Sequence, residues 1–296
     1  MKVLKYIFYT YVILLAGYVT YKTVMGIRLG QQRVAFTQAK RQCYQGGDDW
    51  RYCVSDAEKA RTNTYLYVFH GKGEDEKMWS NPANYSALLQ DYWQWNDSKV
   101  PRVITISFGP AWLVTSQMSK LHTGLLERFR TEVFPSIEQA LGKPKKRFLL
   151  GDSMGGLNVL TIALGMPKNF SRVAALCPPI YTLSPFAGVA KILKFAINSG
   201  VKPKALLIFL GLGRYYFSNE EEWLKFSPLE KIKTVQFKPH QKFYISAGLR
   251  DRYGLYAGAR KFTDRLKRSG ARAYWRPNSG DHCSVDVESL GDFLSP

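Results

Sequence analysis

The stretch Lys146-Arg147-Phe148-Leu149-Leu150-Gly151-Asp152-Ser153-Met154-Gly155-Gly156-Leu157-Asn158 constrains this chain most. Phe148 to Leu150 is a short apolar run of the kind that forms a buried strand. Leu157 to Leu164 continues with helix formers at helix-like apolar spacing. Between them, Gly151, Ser153 and Gly155 fit G-x-S-x-G, so a serine stands at a strand-to-helix turn, the setting of a nucleophile elbow. A sharp turn there holds the serine in a strained backbone conformation and requires small neighbours, because other backbone passes close by. The helix that follows aims its first N–H groups at the same place, where negative charge develops in acyl transfer.

Strands and helices alternate around this turn. Strands are expected at Thr64–Phe69, Val103–Phe108, Arg172–Leu176, Phe243–Ala247 and Ala271–Trp275, and helices at Gly124–Leu141, Leu255–Lys267 and Val285–Phe293. Such alternation implies an α/β fold with a mostly parallel sheet, whose ligands bind at the carboxyl ends of the strands. His70, Ser153 and Cys177 fall at such ends. The loop His70-Gly71-Lys72-Gly73 follows the first of these strands, where a glycine turn can leave a backbone N–H aimed at a ligand. Paired with the elbow, it makes the N–H groups of Lys72 and Met154 the candidate oxyanion hole. His70 precedes that turn and is read as structural. From about residue 180 to 240 the alternation is interrupted by an apolar, lysine-dotted stretch at Phe186–Ile197 and a second apolar stretch at Ala205–Phe217, read as a cap over the site.

The chain has four histidines. His122 lies outside any expected strand end and His240 precedes a strand, which leaves His282, on the loop between the last strand and the last helix, as the base that would take the proton of Ser153. An imidazole in that role needs an anionic partner. Asp251, after the preceding strand, is best placed; Asp281 and Asp286 stand too near His282 in sequence.

The N-terminus reads differently. Lys2 and Lys5 precede an uncharged run from Tyr6 to Tyr21, so residues 1–32 are expected to be a signal anchor or signal peptide, with the uncleaved anchor favoured for want of a clean small-residue cleavage site. The lysines and arginines that follow oppose export by the positive-inside rule, although large domains translocate regardless. Residues 33–63 are polar and are expected to form a helical or irregular spacer. Within it Cys43 and Cys53 flank a Gly-Gly-Asp-Asp turn, a spacing that suits a disulfide and an oxidising, extracytoplasmic compartment. Cys177 and Cys283 are expected as unpaired thiols. The catalytic domain is then residues 64–296. The formal net charge of +19 favours anionic surroundings, a membrane surface or an acidic envelope polymer. Scattered basic residues, with no zinc spacing, RNA-binding signature or basic helix, exclude nucleic acid as the expected partner.

With Phe69-His70-Gly71, Gly151 through Gly156, Ser227-Pro228-Leu229, Gly248 through Asp251 and Gly280-Asp281-His282 in hand, the chain from about Thr64 to Phe293 resembles an α/β-hydrolase, most of all the esterase group that includes esterase D and feruloyl esterases. Gly151-Asp152-Ser153 is also similar to the Gly-Asp-Ser-Gly-Gly of trypsin-like proteases, but Met154 interrupts that pattern and a helix follows. The resemblance implies a mostly parallel sheet with helices on both faces and hydrolysis of carboxylic esters or thioesters. Ser153, Asp251 and His282 would form the triad, acting on an ester with acyl or aromatic character, and neither a metal nor an organic cofactor is implied. Two alternatives stand: an acyltransferase using the same acyl-enzyme, and a catalytically silent relative that binds an anionic envelope partner.

Overall fold

The computed structural model describes residues 10, 13–14, 16–18, 20, 40–56, 61–109, 113–115, 124–237 and 240–296. The expected signal segment at residues 1–32 lies mostly outside them, and His122 entirely so. The chain divides into two units, Met1–Thr37 and Gln38–Pro296. The few described residues of the first are helical. Among the described residues no helix is long and apolar enough to cross a membrane.

The second unit is built on one eight-stranded sheet. Its strands are β1 (Lys40–Gln45), β2 (Arg51–Asp56), β3 (Arg61–Phe69), β4 (Val100–Ser107), β5 (Lys146–Asp152), β6 (Arg172–Leu176), β7 (Lys242–Gly248) and β8 (Arg272–Asn278), in the spatial order β1-β2-β4-β3-β5-β6-β7-β8. β1 and β2 pair antiparallel, β2 runs antiparallel to β4, and every other neighbouring pair is parallel. The inner strands are near-continuous apolar runs because both faces are covered. Tyr65, Tyr67, Phe69, Leu149, Val173 and Phe243 point into a core shared with Val133 and Ile137, the helix Met154–Gly165 and the helix Tyr256–Arg268. The alternate residues Leu66, Val68, Phe148, Leu150 and Ala174 point the other way, onto Leu89 and Trp93 of the helix Tyr85–Trp95 and Leu290 and Leu294 of Val287–Leu294. The two-residue period of a strand thus sorts one run of side chains into two cores.

Two sequence expectations need correction. Residues 40–45 and 51–56, expected in a spacer, are strands of this eight-stranded sheet. β1 is exposed along its whole length, as an edge strand is, which explains its polar sequence. β2 buries Tyr52 and Val54 in the core, and Trp50 beside it donates its indole N–H to Glu132 at 3.0 Å. Cys43 and Cys53 face each other across this hairpin and are joined in a disulfide. The expected helix Gly124–Leu141 starts at Leu125 and contains a π-helical turn, Phe129–Val133.

The segment from 180 to 240 carries the helices Val189–Ser199, Pro203–Tyr216, Glu220–Phe226 and Pro228–Lys231, all between β6 and β7. Their inner sides form a third apolar cluster, in which Tyr181, Phe209, Trp223 and Phe226 pack with Leu157 and Leu255. Tyr181 and Phe209 stack with centroids 3.7 Å apart.

Candidate active site

Ser153 has φ 51° and ψ −121°, the strained geometry anticipated for an elbow. The crowding around it explains the flanking glycines. A Cβ on Gly151 would lie 2.2 Å from the carbonyl oxygen of Gly155, and one on Gly155 would lie 1.9 Å from that of Phe69. The turn is tied to the next strand, because the Ser153 N–H donates to the carbonyl of Leu176 at 2.9 Å. Met154 is the first residue of the helix that follows, so its N–H belongs to the turn whose amides have no partner within the helix.

Two loops far from Ser153 in sequence converge on it. Asp251 stands just beyond the end of β7, with its side chain fully buried. One carboxylate oxygen accepts from the Tyr253 amide at 2.8 Å; the other meets His282 Nδ1 at 2.9 Å. His282 Nε2 lies 2.9 Å from Ser153 Oγ. An ionised carboxylate only accepts, so Nδ1 carries the proton and Nε2 presents its lone pair to the serine hydroxyl. The Tyr253 ring rests against the imidazole, with centroids 4.5 Å apart.

The neighbouring acids are engaged elsewhere. Asp281 accepts from the Arg252 side chain, from the Arg252 amide at 3.0 Å and from the His282 amide at 2.7 Å. Hydrogen bonds from Arg252, and then from the His282 amide, hold its carboxyl well below the usual carboxylate range. Asp286 caps the last helix, accepting from the Ser289 amide at 3.1 Å. His70 is buried, with Nδ1 donating to the Gly71 carbonyl and Nε2 meeting Ser107 Oγ, both at 2.9 Å; burial lowers its pKa. It anchors the loop that carries Lys72. In the same loop the Gly71 amide donates to Glu74 Oε2 at 3.1 Å, and Lys72 lies in the turn immediately after.

Three features escaped the sequence reading. Cys177 and Cys283, expected as free thiols, are joined in a disulfide. Cys177 directly follows β6 and Cys283 directly follows His282, so the bond ties the histidine loop to the strand beside the elbow. The Ser153 amide also lies 3.3 Å from Cys177 Sγ. Their spacing of 106 residues hides the pairing, though both flank site elements and could have been matched on that ground. The second feature is Tyr253, whose loop position gave no signal. The third is Asp152, whose carboxyl is pushed up to about 8 by burial and then by the charge of Glu74. Among the described residues, the donor atoms grouped closely enough for a metal are those of Cys177, His282 and Cys283, and the disulfide occupies both sulfurs.

A parallel sheet with an antiparallel edge, a serine on a strand-to-helix elbow, and an acid and a histidine after the next strands define an α/β-hydrolase. A family profile described as "Putative esterase" matches residues 112–287, more than half the chain, and the chain belongs to that family of carboxylic ester hydrolases. No curated protein matches it in sequence. Among solved structures it is similar to a ferulic acid esterase (16% identity, TM-score 0.58, covering 88% of this chain and 95% of that one). It is also similar to an S-formylglutathione hydrolase from Agrobacterium tumefaciens (14%, 0.58, 86% and 92%). A third likeness is to a fluorophosphonate-binding serine hydrolase F of Staphylococcus aureus (16%, 0.57, 88% and 100%). At such identities these likenesses speak for the fold.

Proposed function

We propose that the chain is a serine esterase that works through an acyl-enzyme on Ser153. The observation that carries this is the continuous relay of two 2.9 Å contacts from Asp251 through His282 to Ser153 Oγ. Ser153 Oγ attacks the ester carbonyl as His282 Nε2 takes its proton. The Asp251 carboxylate stabilises the resulting imidazolium through Nδ1. The backbone N–H groups of Lys72 and Met154 hold the oxyanion. Collapse of the tetrahedral intermediate expels the alcohol, protonated by His282, and leaves the acyl group on Ser153. Water, deprotonated by His282, then attacks the acyl carbon and frees the acid. The aromatic and aliphatic cluster of Tyr181, Phe209 and Leu157, against which Met154 packs, favours esters with acyl or aromatic character. Two disulfides favour an extracytoplasmic location, and the apolar run after Lys5 favours an anchor there. The +19 charge favours work at an anionic surface, a membrane or an envelope polymer.

Labelling with a serine-directed fluorophosphonate, followed by peptide mapping, tests the assignment. The label is expected on Ser153 and to be lost in His282→Ala; a label on another serine contradicts it. An ester panel of varied chain length then defines the acyl preference.

A further inference from the structure

Between Ser153 and Asn219 the chain carries seven lysines and arginines and no acid. Five of those cations, Lys191, Lys194, Lys202, Lys204 and Arg214, lie in or beside the two long cap helices, Val189–Ser199 and Pro203–Tyr216, and all five are exposed. The first helix is apolar on two sides. Ile192 and Phe195 pack inward on the aromatic cluster beside the site. Val189, Leu193 and Ile197, four residues apart and therefore on one face, point outward with 73%, 58% and 81% of their surface exposed. The second helix adds Leu207 at 69% and Tyr215 at 51%. Large aliphatic side chains in a row on a helix, set among lysines and left in water, mark a surface that meets something else.

We infer, for the esterase proposed above and resting on that reading, that the outer face of these two helices docks on an anionic lipid surface. Both halves of the face fit that occupant. The aliphatic row reaches the acyl boundary while the lysines, with no acid among them, meet the headgroup charge. A second copy of the chain fits poorly, since two such faces would oppose five cations each without a counter-charge. The opposite side of the same helices covers Leu157 and Tyr181 beside Ser153, so docking would bring the site to esters held in the lipid surface.

A fluorophore on Ile197→Cys in the full chain tests the inference, because it reports on this face whatever other segment also binds. On vesicles of phosphatidylglycerol its emission is expected to shift to the blue and to be quenched by spin-labelled lipid, with little change on phosphatidylcholine. Lys191→Glu with Lys194→Glu is expected to weaken that response at least ~10-fold. A probe that stays in water while the chain co-sediments with the vesicles overturns the docking face. So does an equal response on phosphatidylcholine, or a shift without vesicles that accompanies a doubling of mass. Turnover of a soluble short-chain ester by the same variants separates the two readings. It persists if only the docking is wrong and is absent if the esterase assignment fails.

Discussion

Asp251 and Asp281 sit thirty residues apart in sequence, yet both touch His282, and they divide the work by what surrounds them. Asp251 offers the ring a buried carboxylate, whereas Asp281 binds Arg252 and the histidine's own amide. Asp251→Asn should therefore fold normally and lose about 10⁴-fold in kcat, since an amide cannot stabilise the imidazolium. Asp281→Asn should cost far less, and steady-state kinetics on one ester compares them; the reverse order would transfer the acid role to Asp281. Asp152 makes a different prediction. Its folded pKa of about 8 lies above the ordinary 3.8, so the folded state binds more protons than the unfolded state between those values. Stability from this group is complete below about pH 4 and is lost as pH rises toward 8. Asp152→Asn, which cannot ionise, should gain Tm relative to the parent as pH rises from 5 to 8, and thermal melts across that range check it. Parallel curves would mean that Asp152 does not titrate there.

Among the elements, those legible in the sequence were the strands β3 to β8, each an apolar or aromatic run bounded by turn residues. β3 and β7 are β-branched and aromatic runs, β5 and β6 are short apolar ones, Phe148 to Leu150 and Val173 to Leu176, and the elbow was written in its glycines. β1 and β2 were hidden because β1 is a polar, exposed edge and β2 sets its core residues Tyr52 and Val54 among Arg51, Ser55 and Asp56, too few apolar residues to stand out. The π turn within 125–141 left the apolar period nearly unchanged and so gave no sign. Asp251 and His282 were found by position after strands and by elimination, whereas the Cys177–Cys283 disulfide depends on strand order that no local pattern encodes. That bond joins the β6 end to the loop bearing His282. Replacing both cysteines by serine should cost about 2–4 kcal/mol in stability and lower kcat more than it changes KM. Denaturant unfolding and kinetics measure both; an unchanged kcat would make the bond a staple only. The helical segment between β6 and β7, which we propose as a cap, is the second element to test. Shortening the segment between Phe186 and Phe217 should change the preference among esters and leave fluorophosphonate labelling intact, and an unchanged ester profile would make it a plain crossover.

At the scale of the whole molecule, the parallel sheet delivers residues 153, 251 and 282 to one place because their loops all leave the carboxyl ends of strands in one half of the sheet, β5, β7 and β8, with β6 between the first two. The fold supplies the geometry, the family supplies the class of reaction, and Ser153 is the atom on which both meet. Its removal is the most direct test. kcat/KM for a soluble short-chain aryl ester, measured for the parent and for Ser153→Ala at matched folding by circular dichroism, should fall about 10⁶-fold, leaving only what oxyanion binding provides. Ester turnover by Ser153→Ala at the parent's rate would contradict the acyl-enzyme and every role assigned around it.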